Sequence, residues 1–303
     1  MRSMRALFVV LGVQVLLGVV LIGLVATDNL PFTDDGAGDA GAAAAVPRPS
    51  LDRFDGDAAY ASVKRQVALG PRPAGSAASR RLAARIRRAL PGGRFQPVPG
   101  GLRNVVGRVP GRDPDRMVVV GAHYDTKDID GFVGANDGAS GVAILTQLAR
   151  RVKPRRLSPT VVFIAFDGEE SPAGSPPELF EEEGLRGSRA AAPRYSRARA
   201  MILLDFVGEK ELRIRREQLS DTALWSKLRA AARRAGVSSV FPPGSQGAII
   251  DDHVPFLRAG VPAIDLIDFD YACFHQTCDN LSQISPRSLD AVGEAMLELL
   301  PTL

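Results

Sequence analysis

Short, almost wholly apolar segments rich in β-branched residues recur along this chain, and helical patterns separate them. The segments lie at residues 117–121, 160–166, 200–204 and 261–267. Continuous apolar runs of this length are typical of strands that are buried on both faces of a parallel sheet. Parallel strands need long crossover connections, which are usually helices. The alternation therefore predicts an α/β fold, with three α/β/α layers around a mixed but mostly parallel central sheet.

Helices are predicted where apolar residues follow helical spacing and capping residues mark the ends. The predicted helices span 58–69, 76–90, 141–152, 224–235 and 286–300, with Ser76 as the N-cap of the second and Pro286 in the first turn of the last. Further strands are predicted at 104–109 and, as a short element, at 212–215. About 250 residues remain once the N-terminus is set aside, which is typical of one domain.

Residues 6–26 form a nearly unbroken apolar segment in which Gln14 is the only strongly polar residue. A helix of this length spans a bilayer core of about 30 Å. Arg2 and Arg5 precede the segment and no basic residue follows before Arg48, so the positive-inside rule places the bulk of the chain outside the cytoplasm. We expect a membrane anchor at 1–27, a flexible linker at 28–50 and an extracytoplasmic domain at 51–303. Secretion after cleavage of a signal peptide is the alternative.

The charge pattern argues against a nucleic-acid partner. The net charge is only +4, and no basic run is interleaved with stacking aromatic residues. The two cysteines, Cys273 and Cys278, are close in sequence, and in an oxidising compartment we expect them to form a local disulfide.

All three histidines lie beside carboxylates, and most of these clusters closely follow apolar runs. The residues are His123 with Asp125, His253 with Asp251 and Asp252, His275, and between them Asp137, Glu169, Glu170 and Asp205. Imidazole and carboxylate together are the ligands that zinc prefers. Side chains at the carboxyl ends of successive strands meet at the edge where an open α/β sheet builds its site. The pattern predicts a zinc hydrolase or transferase.

Two adjacent carboxylates point in different directions, so Glu169 and Glu170 can supply one metal ligand and one general acid/base. Each candidate also has a structural interpretation when taken alone. An acidic pair after a strand is often a solvated loop, Asp137 can cap the following helix, and His275 can be a packed loop histidine. The recurrence of the placement makes the set stronger than its members.

The ordered motifs resemble glutaminyl cyclases and the zinc-dependent aminopeptidases that share their fold, over most of the chain from residue 69. The matching segments are Leu69-Gly70-Pro71-Arg72, His123-Tyr124-Asp125-Thr126-Lys127, Phe132 to Asp137, Phe166 to Glu170, Gly187-Ser188-Arg189, Leu203-Leu204-Asp205, Asp251 to Leu257, Gly260-Val261-Pro262 and His275.

The resemblance implies roles for individual residues. Asp137, Glu170 and His275 would hold one zinc ion, and His123 and Asp205 would hold a second together with bridging Asp137. Glu169 would be the general acid/base. Asp251 would join a hydrogen-bond network near the metal, so that Glu169, Asp205 and Asp251 are the predicted catalytic residues, and His253 would be structural.

Two reactions on peptide N-termini fit this ligand set. A cyclase would use one zinc and form pyroglutamate, whereas an aminopeptidase would use two and hydrolyse the first peptide bond. Residues 69–72, 132–137 and 251–257 favour the cyclase. Gly138-Ala139-Ser140-Gly141 is similar to the aminopeptidases, and Asp265 and Phe274 stand where animal cyclases carry histidine and tryptophan. We expect the cyclase first, the aminopeptidase second, and a non-catalytic receptor ectodomain last.

Overall fold

The computed structural model describes residues 45–303. The predicted anchor and most of the predicted linker lie outside this range and remain predictions. Residues 45–50 contain no helix or strand, although Val46 is buried in the core and the Ser50 N–H donates to the Ala235 carbonyl at 2.9 Å. Across residues 45–303, no helix is both long and apolar enough to pass through a membrane.

A six-stranded mixed sheet forms the centre of the fold. Its strands are β1 (Arg94–Val98), β2 (Leu102–Val109), β3 (Asp113–His123), β4 (Pro159–Phe166), β5 (Ala200–Leu204) and β8 (Ala263–Leu266). The strands lie in the order β1-β2-β4-β3-β5-β8. β3, β4, β5 and β8 run parallel to one another, whereas β2 pairs antiparallel with both β1 and β4. Two short strands, β6 (Arg216–Glu217) and β7 (Ser245–Gln246), pair separately.

Helices cover both faces of the sheet. They are α1 (Gly56–Val67), α2 (Ala77–Ala89), α3 (Ala139–Arg151), α4 (Phe180–Glu183), α5 (Arg186–Ala191), α6 (Thr222–Arg234), α7 (Val254–Arg258) and α8 (Pro286–Leu299). Alternate residues of the central strands pack in two separate hydrophobic cores. Val118 and Val120 pack in the larger core with the long helices, whereas Val119 packs in the smaller core with Ala191 and Phe256. The predicted three-layer α/β/α class is confirmed.

The strand predictions were right where burial is two-sided and wrong at residues 212–215. Every residue of β4 is buried, in agreement with its continuous apolar sequence. The predicted strand at 212–215 does not form. Leu212 and Ile214 are buried, but the Ile214 N–H donates to the Val240 carbonyl outside any ladder, and a strand of two residues begins only at Arg216.

Predicted helix ends shift by one or two residues because other side chains cap them. Asp55 caps α1 by accepting from the Ala58 N–H at 2.8 Å, and Asp221 caps α6 by accepting from the Leu224 N–H at 2.7 Å. The predicted cap of α2 is confirmed, since Ser76 accepts from the Ser79 N–H at 3.0 Å. Residues 45–303 form one compact unit with its own core, so this part of the chain contains what it needs to fold.

Candidate metal centre and active site

The parallel strands deliver the predicted ligands to one edge of the sheet. His123 is the last residue of β3, Asp205 follows β5 directly, and Glu169 and Glu170 lie in the turn after β4. Asp137 precedes α3, and the turn between them requires a glycine. Gly138 has φ of +81°, and a Cβ at this position would lie 2.6 Å from the Asp125 carbonyl oxygen. The fold therefore brings carboxylates and imidazoles together as the sequence predicts.

The first ligand group consists of His123, Asp137 and Asp205, all buried. His123 Nε2 lies 3.2 Å from Asp137 Oδ1 and 3.3 Å from Asp205 Oδ1. Burial alone would lower the pKa of His123, but the charge of Asp205 and hydrogen bonds with Asp125 and Asp137 raise this pKa well above its ordinary value. The ring therefore lies in a strongly anionic environment.

The second group consists of Asp137, Glu170 and His275. His275 Nε2 lies 3.1 Å from Glu170 Oε1 and 3.5 Å from Asp137 Oδ2. The two oxygens of Asp137 thus face different histidines, which is the geometry of a bridging carboxylate. Among the described residues, potential ligand atoms come within 4.8 Å of one another in these two groups, and His253 belongs to neither.

The donor set fits cations better than it fits hydrogen bonds. Each histidine Nε2 faces oxygens from two carboxylates, and one ring nitrogen can donate only one proton. Burial and the charge of Glu170 raise the pKa of Asp137 to about 7, which reflects how poorly these carboxylates are compensated by protein groups alone. Nitrogen and carboxylate oxygen ligands on a tight, buried centre suit zinc.

Two further aspartates hold the backbone of the ligand-bearing turns. Asp125 accepts from the Glu169 N–H at 3.3 Å and from the Glu170 N–H at 3.2 Å. Asp279 accepts from the Asn136 N–H at 2.8 Å and from the Asp137 N–H at 3.0 Å. Each carboxylate therefore fixes where the ligand side chains begin.

Arg72 binds backbone carbonyl groups close to Asp137 from inside the protein. Its guanidinium is completely buried and donates to the carbonyls of Gly70, Val133 and Gly134 at 3.1, 2.8 and 3.1 Å. Burial lowers the pKa of Arg72 to about 10 against the opposing charges of Asp137 and Asp279. The group remains a cation at neutral pH and offsets part of the local negative charge.

Lys127 contacts the outer oxygen of a predicted ligand. Its Nζ lies 3.1 Å from Glu170 Oε2 and donates to Ser171 Oγ at 2.9 Å. Burial raises the pKa of Glu170, but the hydrogen bond with His275 and the charges of His275 and Lys127 outweigh burial and lower it overall. Glu170 is therefore held ionised with Oε1 directed toward the histidine.

The other carboxylate of the pair is held in a different state. Burial and the charges of Glu170 and Asp251 raise the pKa of Glu169 well above its ordinary value. Its Oε2 lies 3.9 Å from His123 Nδ1, so the group stands beside the ligands without belonging to either group. Adjacent glutamates thus differ in proton affinity, as a ligand and an acid/base should.

Buried acids extend from Glu169 into the protein. Burial and the charge of Asp205 raise the pKa of Asp251 to about 6, and burial and the charge of Asp251 raise the pKa of Asp265. His253 is buried behind them, with Nε2 3.3 Å from Glu217 Oε1 and Nδ1 3.9 Å from Asp265 Oδ2.

An aromatic rim adjoins the second ligand group. The Phe274 ring stacks on the His275 imidazole with centroids 3.9 Å apart, and Phe269 lies 5.0 Å from Phe274. Both phenylalanines are exposed. Cys273 and Cys278 are joined in a disulfide across this loop, so the predicted bond is confirmed.

Sequence reasoning assigned no role to four residues that shape this site: Arg72, Asp125, Lys127 and Asp279. Asp125 stands in a His-x-Asp pair, and Arg72 and Lys127 stand inside motifs that carry the resemblance, so a local signal existed for these three. Asp279 stands four residues after His275, so a carboxylate close to this histidine was evident, but its bonds to Asn136 and Asp137 were not.

The fold and the paired ligand groups define an α/β protein with two potential metal sites that share one carboxylate. Residues 104–300 match the sequence profile described as peptidase family M28, and the chain belongs to that family.

The chain is also similar to proteins with two kinds of described activity. A glutaminyl-peptide cyclotransferase-like protein from Mus musculus is 30% identical over 221 residues, which cover 61% of this chain and 56% of the relative. The chain thus spans about half the length of this curated relative. A glutaminyl cyclase structure from an Acidobacteriales bacterium has a TM-score of 0.72 and 31% identity, covering 83% of this chain and 95% of its own. A Zn-dependent exopeptidase structure from Parabacteroides distasonis has a TM-score of 0.71 and 28% identity, covering 85% and 100%.

Proposed function

We propose that this chain is a zinc-dependent enzyme that acts on peptide N-termini, and that its reaction is the cyclisation of N-terminal glutamine to pyroglutamate with release of ammonia. Similarity to glutaminyl cyclases on one side and to a zinc exopeptidase on the other supports the class. The observation that favours cyclisation is the cluster of buried carboxyl groups formed by Glu169, Asp251 and Asp265, which extends inward from the metal ligands. Glu169 and Asp251 lie in the segments that resemble glutaminyl cyclases.

Zinc would be held by Asp137, Glu170 and His275, the group that lies beside the exposed aromatic rim. When bound, the ion polarises the side-chain amide carbonyl of the glutamine. A carboxylate with raised proton affinity is matched to proton transfer near neutral pH.

Cyclisation requires a proton to move between two nitrogens of the same substrate. The α-nitrogen forms a bond to the carbonyl carbon of the side-chain amide, Cδ, and the bond from that carbon to the amide nitrogen breaks. Glu169 takes the proton that the α-amine gives up and delivers it to the departing ammonia. Burial and the charges of Glu170 and Asp251 favour the protonated form of Glu169, so that this form can act as the donor.

An aminopeptidase is the second candidate, because the other ligand group is intact. His123 and Asp205 stand at 3.2–3.3 Å from their partners and would complete a second zinc site through Asp137. Two ions about 3.5–4 Å apart are typical of hydrolases that attack with an activated water.

A product assay on peptides separates the reactions. The purified protein is given one peptide with N-terminal glutamine and one with N-terminal leucine, and zinc per chain is measured. Loss of one ammonia from the first peptide, with about one zinc, is the expected result. Release of free leucine, with about two zincs, would establish the aminopeptidase. A zinc-loaded protein that yields neither product would support the non-catalytic ectodomain.

The role of Glu169 has its own test. Glu169→Gln should lower turnover by about 10²–10⁴-fold, the usual contribution of a positioned acid/base, while zinc content stays unchanged. Glu182→Gln removes the same charge from an exposed position on α4 and serves as the control. Activity retained in Glu169→Gln would remove Glu169 from the mechanism.

Membrane anchoring through residues 6–26 is proposed on the sequence alone, with the described part outside the cytoplasm. Resistance of the full chain to carbonate extraction, and protease access to residues 45–303 from the outer side only, would support it. Release of a shortened soluble form would favour signal cleavage.

A further inference from the structure

A concave surface lined by five arginines lies far from any residue assigned above. Its volume is about 470 Å³, and its lining consists of Arg53, Arg112, Arg155, Arg156, Arg234, Leu297, Glu298, Pro301 and Thr302. One glutamate therefore faces five guanidinium groups. We call this surface the arginine cavity.

The arginine cavity lies at the edge of the sheet opposite the candidate metal centre. Arg112 directly precedes β3, and Arg155 and Arg156 form the turn at 154–156 that leads into β4. Since β3 and β4 run parallel and the candidate ligands follow their carboxyl ends, the arginines stand at the amino ends. The two sites therefore face opposite directions.

The protein neutralises only part of the positive charge of the cavity. Glu298 is shared between Arg53 at 2.8 Å and Arg234 at 2.7 Å. Arg53 also pairs with the buried Glu294 at 3.0 Å. Arg112, Arg155 and Arg156 are exposed, and none of them pairs with a carboxylate within residues 45–303. Converging like charges repel one another unless an anion joins them. Guanidinium forks match the oxygens of phosphate groups in particular.

One arginine of this surface is close in sequence to the start of the described residues. Arg53 lines the cavity only a few residues after the described part begins. Residues 27–44 separate the apolar segment from that point and can reach at most about 60 Å when fully extended. Such a tether would keep the domain near a membrane. The charged surfaces of the domain would then determine its orientation.

We propose that the arginine cavity binds the phosphate headgroups of anionic lipids. The domain then rests with the amino ends of its strands against the membrane, and the metal centre opens away from the membrane toward peptides in solution. This inference rests on the proposed anchor for the proximity of a membrane, and not on the reaction.

Vesicle binding of residues 45–303 tests the proposal without the apolar segment. The protein should co-sediment with phosphatidylcholine vesicles that contain 30% phosphatidylglycerol and not with pure phosphatidylcholine. A basic residue at an anionic surface is typically worth about a fivefold change in affinity. The triple variant Arg112→Gln, Arg155→Gln and Arg156→Gln should therefore bind about a hundredfold more weakly.

The matched control removes the same charge elsewhere. The control is a triple variant on α2 in which three exposed arginines are replaced, Arg81→Gln, Arg85→Gln and Arg88→Gln. It should bind vesicles within about twofold of wild type. An equal loss of vesicle affinity in both triple variants would show that net charge alone attracts the protein. It would refute specific binding at the arginine cavity. Failure of the unaltered protein to bind anionic vesicles would overturn the proposal outright.

A soluble competitor separates the two sources of phosphate. Glycerol 3-phosphate at millimolar concentration should not displace the protein from vesicles, because a membrane engages several arginines at once. Displacement would assign the cavity to a small phosphorylated ligand and reject the membrane. Peptide turnover and thermal unfolding should be the same in both triples, so a failure of the proposed reaction would leave this test intact.

Discussion

Asp279 holds the backbone of Asp137, the predicted bridging ligand, and is not itself a predicted metal ligand. Its side chain is completely buried. Oδ1 accepts from the Asn136 N–H and from the Tyr271 hydroxyl, both at 2.8 Å, and Oδ2 accepts from the Asp137 N–H at 3.0 Å. Asp279→Asn preserves the shape but replaces one acceptor oxygen with an NH₂ group.

The cost follows from the number of bonds that the amide cannot make. The orientation that keeps the two bonds of Oδ1 turns the NH₂ group toward the Asp137 N–H. A hydrogen bond to a charged group is worth about 1.5–3 kcal/mol, and a buried donor without a partner costs about 1–3 kcal/mol more. We expect the free energy of unfolding to fall by about 3–5 kcal/mol. Zinc affinity should fall about 10–100-fold, as is usual when a residue that orients ligands is lost.

Urea unfolding of the metal-free protein and competition with a zinc chelator measure the two effects separately. Tyr271→Phe is the matched control, because it removes one donor to Asp279 and leaves Asp137 bonded. That variant should lose about 1 kcal/mol and keep its zinc affinity. If Asp279→Asn binds zinc as tightly as wild type, the carboxylate does not position Asp137 and the reasoning is wrong.

Three further changes test other parts of the structure. His275→Ala should lower zinc content, and unchanged zinc would refute its role as a ligand. Burial and the hydrogen bond with Asp268 raise the pKa of Glu209 from 4.5 to about 9. The stabilisation that this group contributes is therefore fully present below pH 4.5 and is lost as the pH rises through 9. Glu209→Gln should reduce this pH dependence of the free energy of unfolding, measured with urea. Gly141→Ala would place a Cβ 2.1 Å from the Leu204 carbonyl oxygen and should cost about 1–3 kcal/mol, whereas Gly247→Ala meets nothing within 4 Å and should be neutral.

The inner strands were predictable because burial on both faces leaves a continuous apolar sequence. β4 shows this pattern along its whole length. The outer strand β1 was missed, since it alternates exposed and buried residues, contains Pro97 and pairs on one side only. The prediction at 212–215 failed for the opposite reason, because Leu212 and Ile214 are buried by tertiary packing without a strand partner.

The candidate ligands could be predicted from the sequence. The residues that hold the backbone of these ligands in place could not. His123 and Asp205 stand where strands end, so a local pattern marks them. Asp279 acts on Asn136 and Asp137 across more than 140 positions of sequence, and only the closed fold brings these groups together. Long-range hydrogen bonds of this kind leave no local periodicity to detect.

The disulfide between Cys273 and Cys278 constrains the loop that carries His275. His275 has φ of +51°, a left-handed conformation that costs a residue with a side chain about 1 kcal/mol or more. The covalent link between Cys273 and Cys278 holds the loop around that histidine. Formation of this bond should therefore strengthen zinc binding, and a chain kept under reducing conditions should bind zinc more weakly even though every ligand is present.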